Sequence, residues 1–135
     1  MKARFLTFFL ICISLVSTRA ELSPSVYEAK QRSAPEYLRL HVIDVNTSTI
    51  ASSAAHVTHV RALAIVTQVL RTGSHVKIGD TLQVAYSITS HPKVWCGPGQ
   101  IPLLKVQEDT VAYLIRQQEQ DSYVPAAGAM SFHEF

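Results

Sequence analysis

Hydrophobic and polar positions along the chain change character twice. Residues 5–16 are apolar except for Thr7 and Ser14, and residues 21–36 are polar, with Pro24 and Pro35 among them. From Tyr37 onward, branched apolar residues recur close to every second position, the period of a strand with one buried face. Tyr37-Leu-Arg-Leu-His-Val-Ile-Asp-Val45 alternates in part and predicts a first strand, followed by a Ser/Thr-rich turn region over 46–53. Residues 57–70 are apolar enough for a helix. Their density of Val, Ile and Thr and the turn signals at both ends favour a second strand. Gly73 and the Gly79-Asp80 pair mark a turn, and Asp80 serves it. Thr81-Leu-Gln-Val-Ala-Tyr-Ser-Ile88 then places Leu82, Val84, Tyr86 and Ile88 on one face, the cleanest alternation in the chain. A loop over 89–100 holds His91-Pro92 and Cys96-Gly-Pro-Gly99. Two strand candidates, 101–106 and 110–116, flank a Gln107-Glu-Asp109 turn, and the tail ends in a further strand candidate at 129–135. In the polar segment, Ser25-Val-Tyr-Glu28 fits a capping box for a short helix over 26–33 that Pro35 stops; a flexible leader is the other reading.

The result is a mainly β protein with five or six strands, short connections and no βαβ alternation. That pattern predicts a small antiparallel barrel with at most one short helix, closure being attractive because it removes exposed edges.

The first apolar run has a different meaning. Lys2 and Arg4 precede it, and Thr18 and Ala20 put small residues at −3 and −1 of a cut between Ala20 and Glu21. This is the pattern of a secretory signal peptide. Twelve helical residues span roughly 18 Å, short of a bilayer core of about 30 Å, so the run is too short for a membrane anchor. The expected division is a signal over 1–20, a polar leader or short helix over 21–36, and a barrel domain over 37–135.

Removing the signal changes the charge. The 12 basic and 10 acidic residues of the full chain become 9 and 10, a balance of −1, because Lys2, Arg4 and Arg19 leave and no acid does. A cationic surface for nucleic acid or an acidic membrane is therefore not expected, nor is a second membrane segment. Of the two cysteines, Cys12 leaves with the signal and Cys96 remains, so no internal disulfide can form. Small domains secreted by eukaryotic cells usually rely on several bridges, which favours a bacterial periplasm or exterior. In a eukaryotic host, Asn46-Thr-Ser48 would instead be a glycosylation sequon.

Residues 57–88 run long strand, Gly-containing turn, Gly79-Asp80, alternating strand. Cys96-Gly-Pro-Gly99, Pro102-Leu-Leu104 and Val111-Ala-Tyr-Leu-Ile115 follow. This layout resembles OB-fold proteins, in particular their netrin/tissue-inhibitor-of-metalloproteinase-like branch, over about half of the mature chain. In that branch a Gly-Asp-type turn precedes a central strand, and a Tyr-Leu strand follows a Gly/Pro/Cys loop. Two departures limit what the resemblance implies. Those inhibitors carry several disulfides and present an N-terminal cysteine to the protease zinc, whereas the new terminus here is Glu21. The resemblance therefore implies the barrel and not the inhibition, since such barrels host many functions.

Candidate chemistry is sparse. Cys96 stands beside Trp95 in a loop, with Lys93 and His91 near it in sequence. A reactive thiol needs positive charge to lower its pKa, and a nucleophile needs a base and an orienting group. No protease cysteine signature surrounds it. A packed thiol is the expected state, with a mixed disulfide or covalent dimer through Cys96 as the alternative. His56, His59, His91 and Cys96 are the metal-ligand types, but residues three apart on a strand face opposite sides, so His56 and His59 do not converge without a bulge. No metal and no cofactor is expected. Glu108 and Asp109 fit a solvated turn, and the sequence holds no nucleophile elbow or phosphate-cradling loop.

Trp95, Cys96 and Tyr113 are the candidate binding residues, the aromatics being more often core than binding face in a small domain. The expected function is that of an exported, non-catalytic binding or accessory protein whose ligand is a partner protein or a small molecule. The alternatives are a metal- or thiol-dependent envelope protein using Cys96 with nearby histidines, and a secreted hydrolase inhibitor.

Overall fold

A computed structural model describes residues 22–91 and 99–135. Helix α1 (Pro24–Ser33) leads into five strands: β1 (Glu36–Ala51), β2 (His56–Arg71), β3 (Thr81–Ser90), β4 (Asp109–Gln117) and β5 (Ser122–Pro125). They close a barrel in the order β1-β2-β3-β5-β4. β4 returns beside β1 while β1, β2 and β3 follow one another, which is the Greek-key arrangement, and β5 fills the remaining gap. All pairings are antiparallel except β3–β5, a parallel seam at Val84↔Tyr123. The mainly β barrel with one short helix agrees with the sequence pattern; the parallel seam is an addition to it.

Period two fills the core. Leu38, Leu40 and Val42 of β1 point inward with Val60, Ala62, Ala64 and Val66 of β2. Leu82, Val84 and Tyr86 of β3, Ala112 and Leu114 of β4, and Tyr123 of β5 complete it. β1 pairs with β2 along its whole length but with β4 only over residues 36–41. Register irregularities at Tyr37/Leu38, Arg39/Leu40 and Val42/Asp44 bend the strand so that one end closes the barrel and the other projects.

Four local expectations are corrected. β1 runs through the Ser/Thr-rich stretch to Ala51, and the turn is confined to residues 52–55, where the Ser52 N–H donates to Ala55 O at 2.9 Å. Thr47, Thr49 and Ile50 are β-branched and suit a strand as well as a turn. Residues 101–106 pack without joining a ladder: the Leu104 N–H donates to the Tyr86 hydroxyl, which donates to Pro102 O. Burial is the main cause that pushes the Tyr86 pKa up, so the hydroxyl keeps the proton this clamp needs. The tail is a 3-10 turn (Gly128–Met130) and irregular chain, because Gly128 takes a left-handed φ of 54° and Ser131 Oγ bonds both Gly128 O and the Ala127 N–H. Finally, α1 starts at Pro24, with Ser23 as its N-cap and no side-chain cap bond, so the Ser25/Glu28 capping box does not form. Proline at the first helical position needs no donor and supplies the helical φ.

The Gly79-Asp80 turn forms as its residue types predict. Gly79 has φ 91°, and the Asp80 carboxylate accepts the Lys77 N–H at 2.8 Å. Among the described residues no helix is long and apolar enough to cross a membrane.

Candidate functional site

The outward positions of β1 and β4, the helix and the chain's last residues meet on one side of the barrel. Tyr37 of β1 lies opposite Tyr113 of β4 in the register. Their rings stack at 4.5 Å between centroids and 9° between planes. Arg71, at the end of β2, holds its guanidinium 5.9 Å from the Tyr37 ring centre. It is fixed there because Nε donates to Ala34 O at 2.9 Å and Nη2 to Gln31 O at 2.7 Å, at the C-terminal end of α1. That contact also suits the negative end of the helix dipole.

Residues 130–135 cross the same face. Gln31 Nε2 donates to Met130 O and His133 O, each at 2.7 Å, the Tyr113 N–H donates to Ser131 O, and Thr110 Oγ1 donates to Phe132 O. Glu134 then receives the Tyr37 hydroxyl at 2.6 Å and an ion pair from Arg39 at 3.5 Å. Its carboxylate divides two shallow depressions. One, of about 570 Å³, is bounded by α1, Arg71 and the tyrosine stack. The other, of about 650 Å³, lies over Arg39, Asp109 and Phe132. Near the second, His41 Nδ1 meets Asp109 Oδ1 at 2.7 Å. The groove thus has an aromatic floor, three arginines (Arg32, Arg39, Arg71) and carboxylates of Glu28, Asp109 and Glu134 at its margins.

The hydrogen bond to Glu134 is the largest of several causes that raise the Tyr37 pKa, with the bond to Tyr113 and desolvation adding to it. A raised folded-state value means that folding favours the protonated phenol. The stability this contributes is fully present below the unfolded tyrosine pKa of about 10 and is lost as pH climbs beyond it. Spectrophotometric titration at the tyrosinate band is expected to show one tyrosine ionising after the others, and Tyr37→Phe to remove that last step. An unchanged final step in Tyr37→Phe would mean that another hydroxyl carries it.

Of the residues singled out in the sequence, Tyr113 belongs to this site and is nearly buried within it. His56 and His59 lie on opposite faces of β2, because the β2–β3 register is regular from His56 to Ile65 and no bulge turns them together. His59 Nδ1 pairs with Ser87 Oγ at 2.8 Å. His91 follows the end of β3. Among the described residues no three His, Cys, Asp or Glu side chains gather as a metal site. Trp95 and Cys96, like Ala20 and Glu21 at the cleavage position, lie outside the described residues. Glu108 does serve a turn: its carboxylate accepts the Lys105 N–H at 2.9 Å beside Gln107 in a left-handed conformation.

Tyr37, Arg71, Arg39 and Glu134 were not singled out from the sequence. Each contact among them joins residues more than 30 positions apart, and no local motif encodes such a contact. The one available signal was that Tyr37, Arg39 and His41 alternate with the core residues Leu38, Leu40 and Val42, which places them together on the outer face of β1.

Searches against protein-family models, curated proteins and solved structures find no match for this chain.

Proposed function

We propose that this chain is an exported, non-catalytic binding barrel of OB-like architecture, acting in a periplasm or outside the cell, whose tyrosine-floored groove takes a segment of a partner protein. The observation that carries this reading is the Tyr37–Tyr113 stack, held between the Arg71 guanidinium and the Glu134 carboxylate. Stacked aromatics offer large contact area at low entropic cost, and Tyr and Arg are the residue types that dominate protein-binding energetics.

The groups at the site suit positioning better than proton transfer. A general acid or base works best with a pKa near the working pH, and Tyr37 is driven away from it. Arg71 spends donors on carbonyls, which fixes its place without activating anything. Arginines and carboxylates at the margins match a polypeptide segment carrying both charge signs. Closure in a Greek-key order with five strands supports the OB-like reading, an architecture that recurs in ligand-binding modules.

A photo-crosslinking residue introduced at Arg39 in the native host, compared with one at Ile78 on a remote exposed turn, tests the site. One discrete adduct from position 39 is expected, and it should disappear when Tyr37→Ala is added. The partner identified from that adduct should bind the purified protein, with Tyr37→Ala weakening the Kd by about tenfold or more, a typical loss for a buried aromatic anchor. Equal labelling from both positions, or undiminished binding by Tyr37→Ala, would reject this groove as the binding surface.

A further inference from the structure

The barrel is closed, yet the β1–β2–β3 end projects beyond it, and a projecting sheet has edges. On the β3 side the edge is occupied in part: the Thr89 N–H donates to the Gln100 side chain at 3.2 Å. The β1 side differs. Its last bonds to the β4 side are those of Val42, whose N–H donates to Glu108 O and whose carbonyl accepts the Gln107 N–H. Beyond that point β1 pairs with β2 alone among the described residues. The Ser52 N–H turns toward β2, to Ala55 O. Alternation back along the strand therefore turns the N–H and C=O of Thr49, Thr47 and Val45 away from β2, toward the open side.

Open edges are normally guarded by lysine, proline, a bulge or a covering segment. Residues 44–51 read Asp-Val-Asn-Thr-Ser-Thr-Ile-Ala, with no lysine and no proline. The irregularity at Val42/Asp44 lies before the open stretch, and the register then runs evenly to Ala51. The stretch is regular, exposed and rich in β-branched residues, and Ile50 is 61% exposed.

We propose that this edge is a dimerisation surface, on which a second copy of the chain docks its own β1 in antiparallel register. The sequence of the edge is complementary to itself. With a two-fold axis at Thr47, that residue meets its own counterpart, and Val45 stands across from Thr49 on the same face. On the other face Asn46 meets Ser48. Thr–Thr and Thr–Val cross-strand pairs are favourable neighbours. Asp44 is the one charge in the stretch, and it lies across from Ile50, about 20 Å from the Asp44 of the second copy at roughly 3.3 Å per residue. That exceeds the Debye length of about 8 Å at physiological salt, so the like charges do not oppose pairing. The isologous geometry closes on itself, and its two unguarded edges cover each other.

The test is sedimentation velocity on the exported protein over about three decades of concentration, because dimerisation follows mass action. Reducing conditions keep a disulfide through Cys96 from contributing. A shift from monomer to doubled mass is expected. Thr49→Pro removes an edge donor and keeps the backbone bonds to β2, losing there only the exposed Thr49–Thr58 hydroxyl contact, and Thr47→Lys places a guarding charge on the edge. Each should weaken dimerisation about tenfold or more while the far-ultraviolet spectrum stays that of a barrel. Should either variant fail to fold, hydrogen exchange in the wild-type protein decides: the amides of Val45, Thr47 and Thr49 gain protection at high concentration if they pair. A monomer at every concentration, a dimer indifferent to both substitutions, or edge amides that exchange equally fast at all concentrations would overturn the proposal.

Discussion

Leu114→Ala is expected to destabilise the protein by about 2–5 kcal/mol, the range for truncating a fully buried leucine. Leu114 has no exposure and sits where the barrel closes, opposite Glu36 of β1 and Pro125 of β5. Its side chain packs in the cluster that joins Leu38 and Leu40 to Tyr123. The short β5 contributes few backbone bonds of its own, so side-chain packing at this seam carries much of its attachment. For a domain of this size the loss corresponds to a fall in Tm on the order of 10 °C or more. Ile115→Ala, one position along on the outer face and 43% exposed, serves as control and should cost about 1 kcal/mol or less. Thermal unfolding followed by circular dichroism separates the two. Equal costs would mean that β4 does not hold its Leu114 face in the core.

The second large effect concerns a charge inside the barrel end. Glu36 is 1% exposed. Its Oε1 accepts the Gly73 N–H at 3.2 Å and the Ser74 N–H at 2.9 Å, tying the loop after β2 to the start of β1. Ser74 Oγ in turn meets the Tyr123 hydroxyl at 2.9 Å, so the anchor reaches β5. Glu36→Ala leaves two backbone donors without their acceptor and is expected to cost about 2–4 kcal/mol in urea unfolding, at unchanged m-value. Glu36→Gln keeps an acceptor oxygen for the two N–H groups and should cost less than Glu36→Ala, the amide nitrogen taking the buried place of Oε2, which no described group meets. If Gln is as damaging as Ala, the negative charge and not the acceptor holds the loop. The loop begins one residue after Arg71, so the same anchor helps keep that guanidinium above Tyr37. Glu36→Ala should therefore weaken the binding proposed for this groove as well as stability.

Both sites lie next to the groove and bear on what holds it. Its aromatic floor is made of outward-facing residues whose immediate neighbours, Leu38 and Leu114, are core. Its tail is held by side chain to backbone bonds from Gln31 and Thr110 and by the Glu134 contacts. A rigid barrel wall and a helix end position the site, and the last residues of the chain divide it.

Much of the frame was legible in the sequence. Leu82, Val84 and Tyr86 alternate because a strand with one buried face must, and they line the core. Gly79-Asp80 marks its turn because glycine accepts the positive φ and aspartate caps the neighbouring amide. Pro35 ends α1 because the residue before a proline is pushed out of the helical region, as Ala34 is at ψ 127°. These are effects of one residue on its immediate neighbours, and local sequence determines them. Tertiary structure alone decided the rest. It drew 46–51 into β1, because β2 offered a ladder that outweighs the turn preference of Ser and Asn. It kept 101–106 out of the sheet, because Tyr86 from β3 satisfies the backbone there. It brought Tyr37 to Tyr113, Arg71 to the end of α1, and Glu134 to Tyr37 and Arg39. Those contacts follow from the order in which five strands close, a property of the whole chain that no short stretch of it contains.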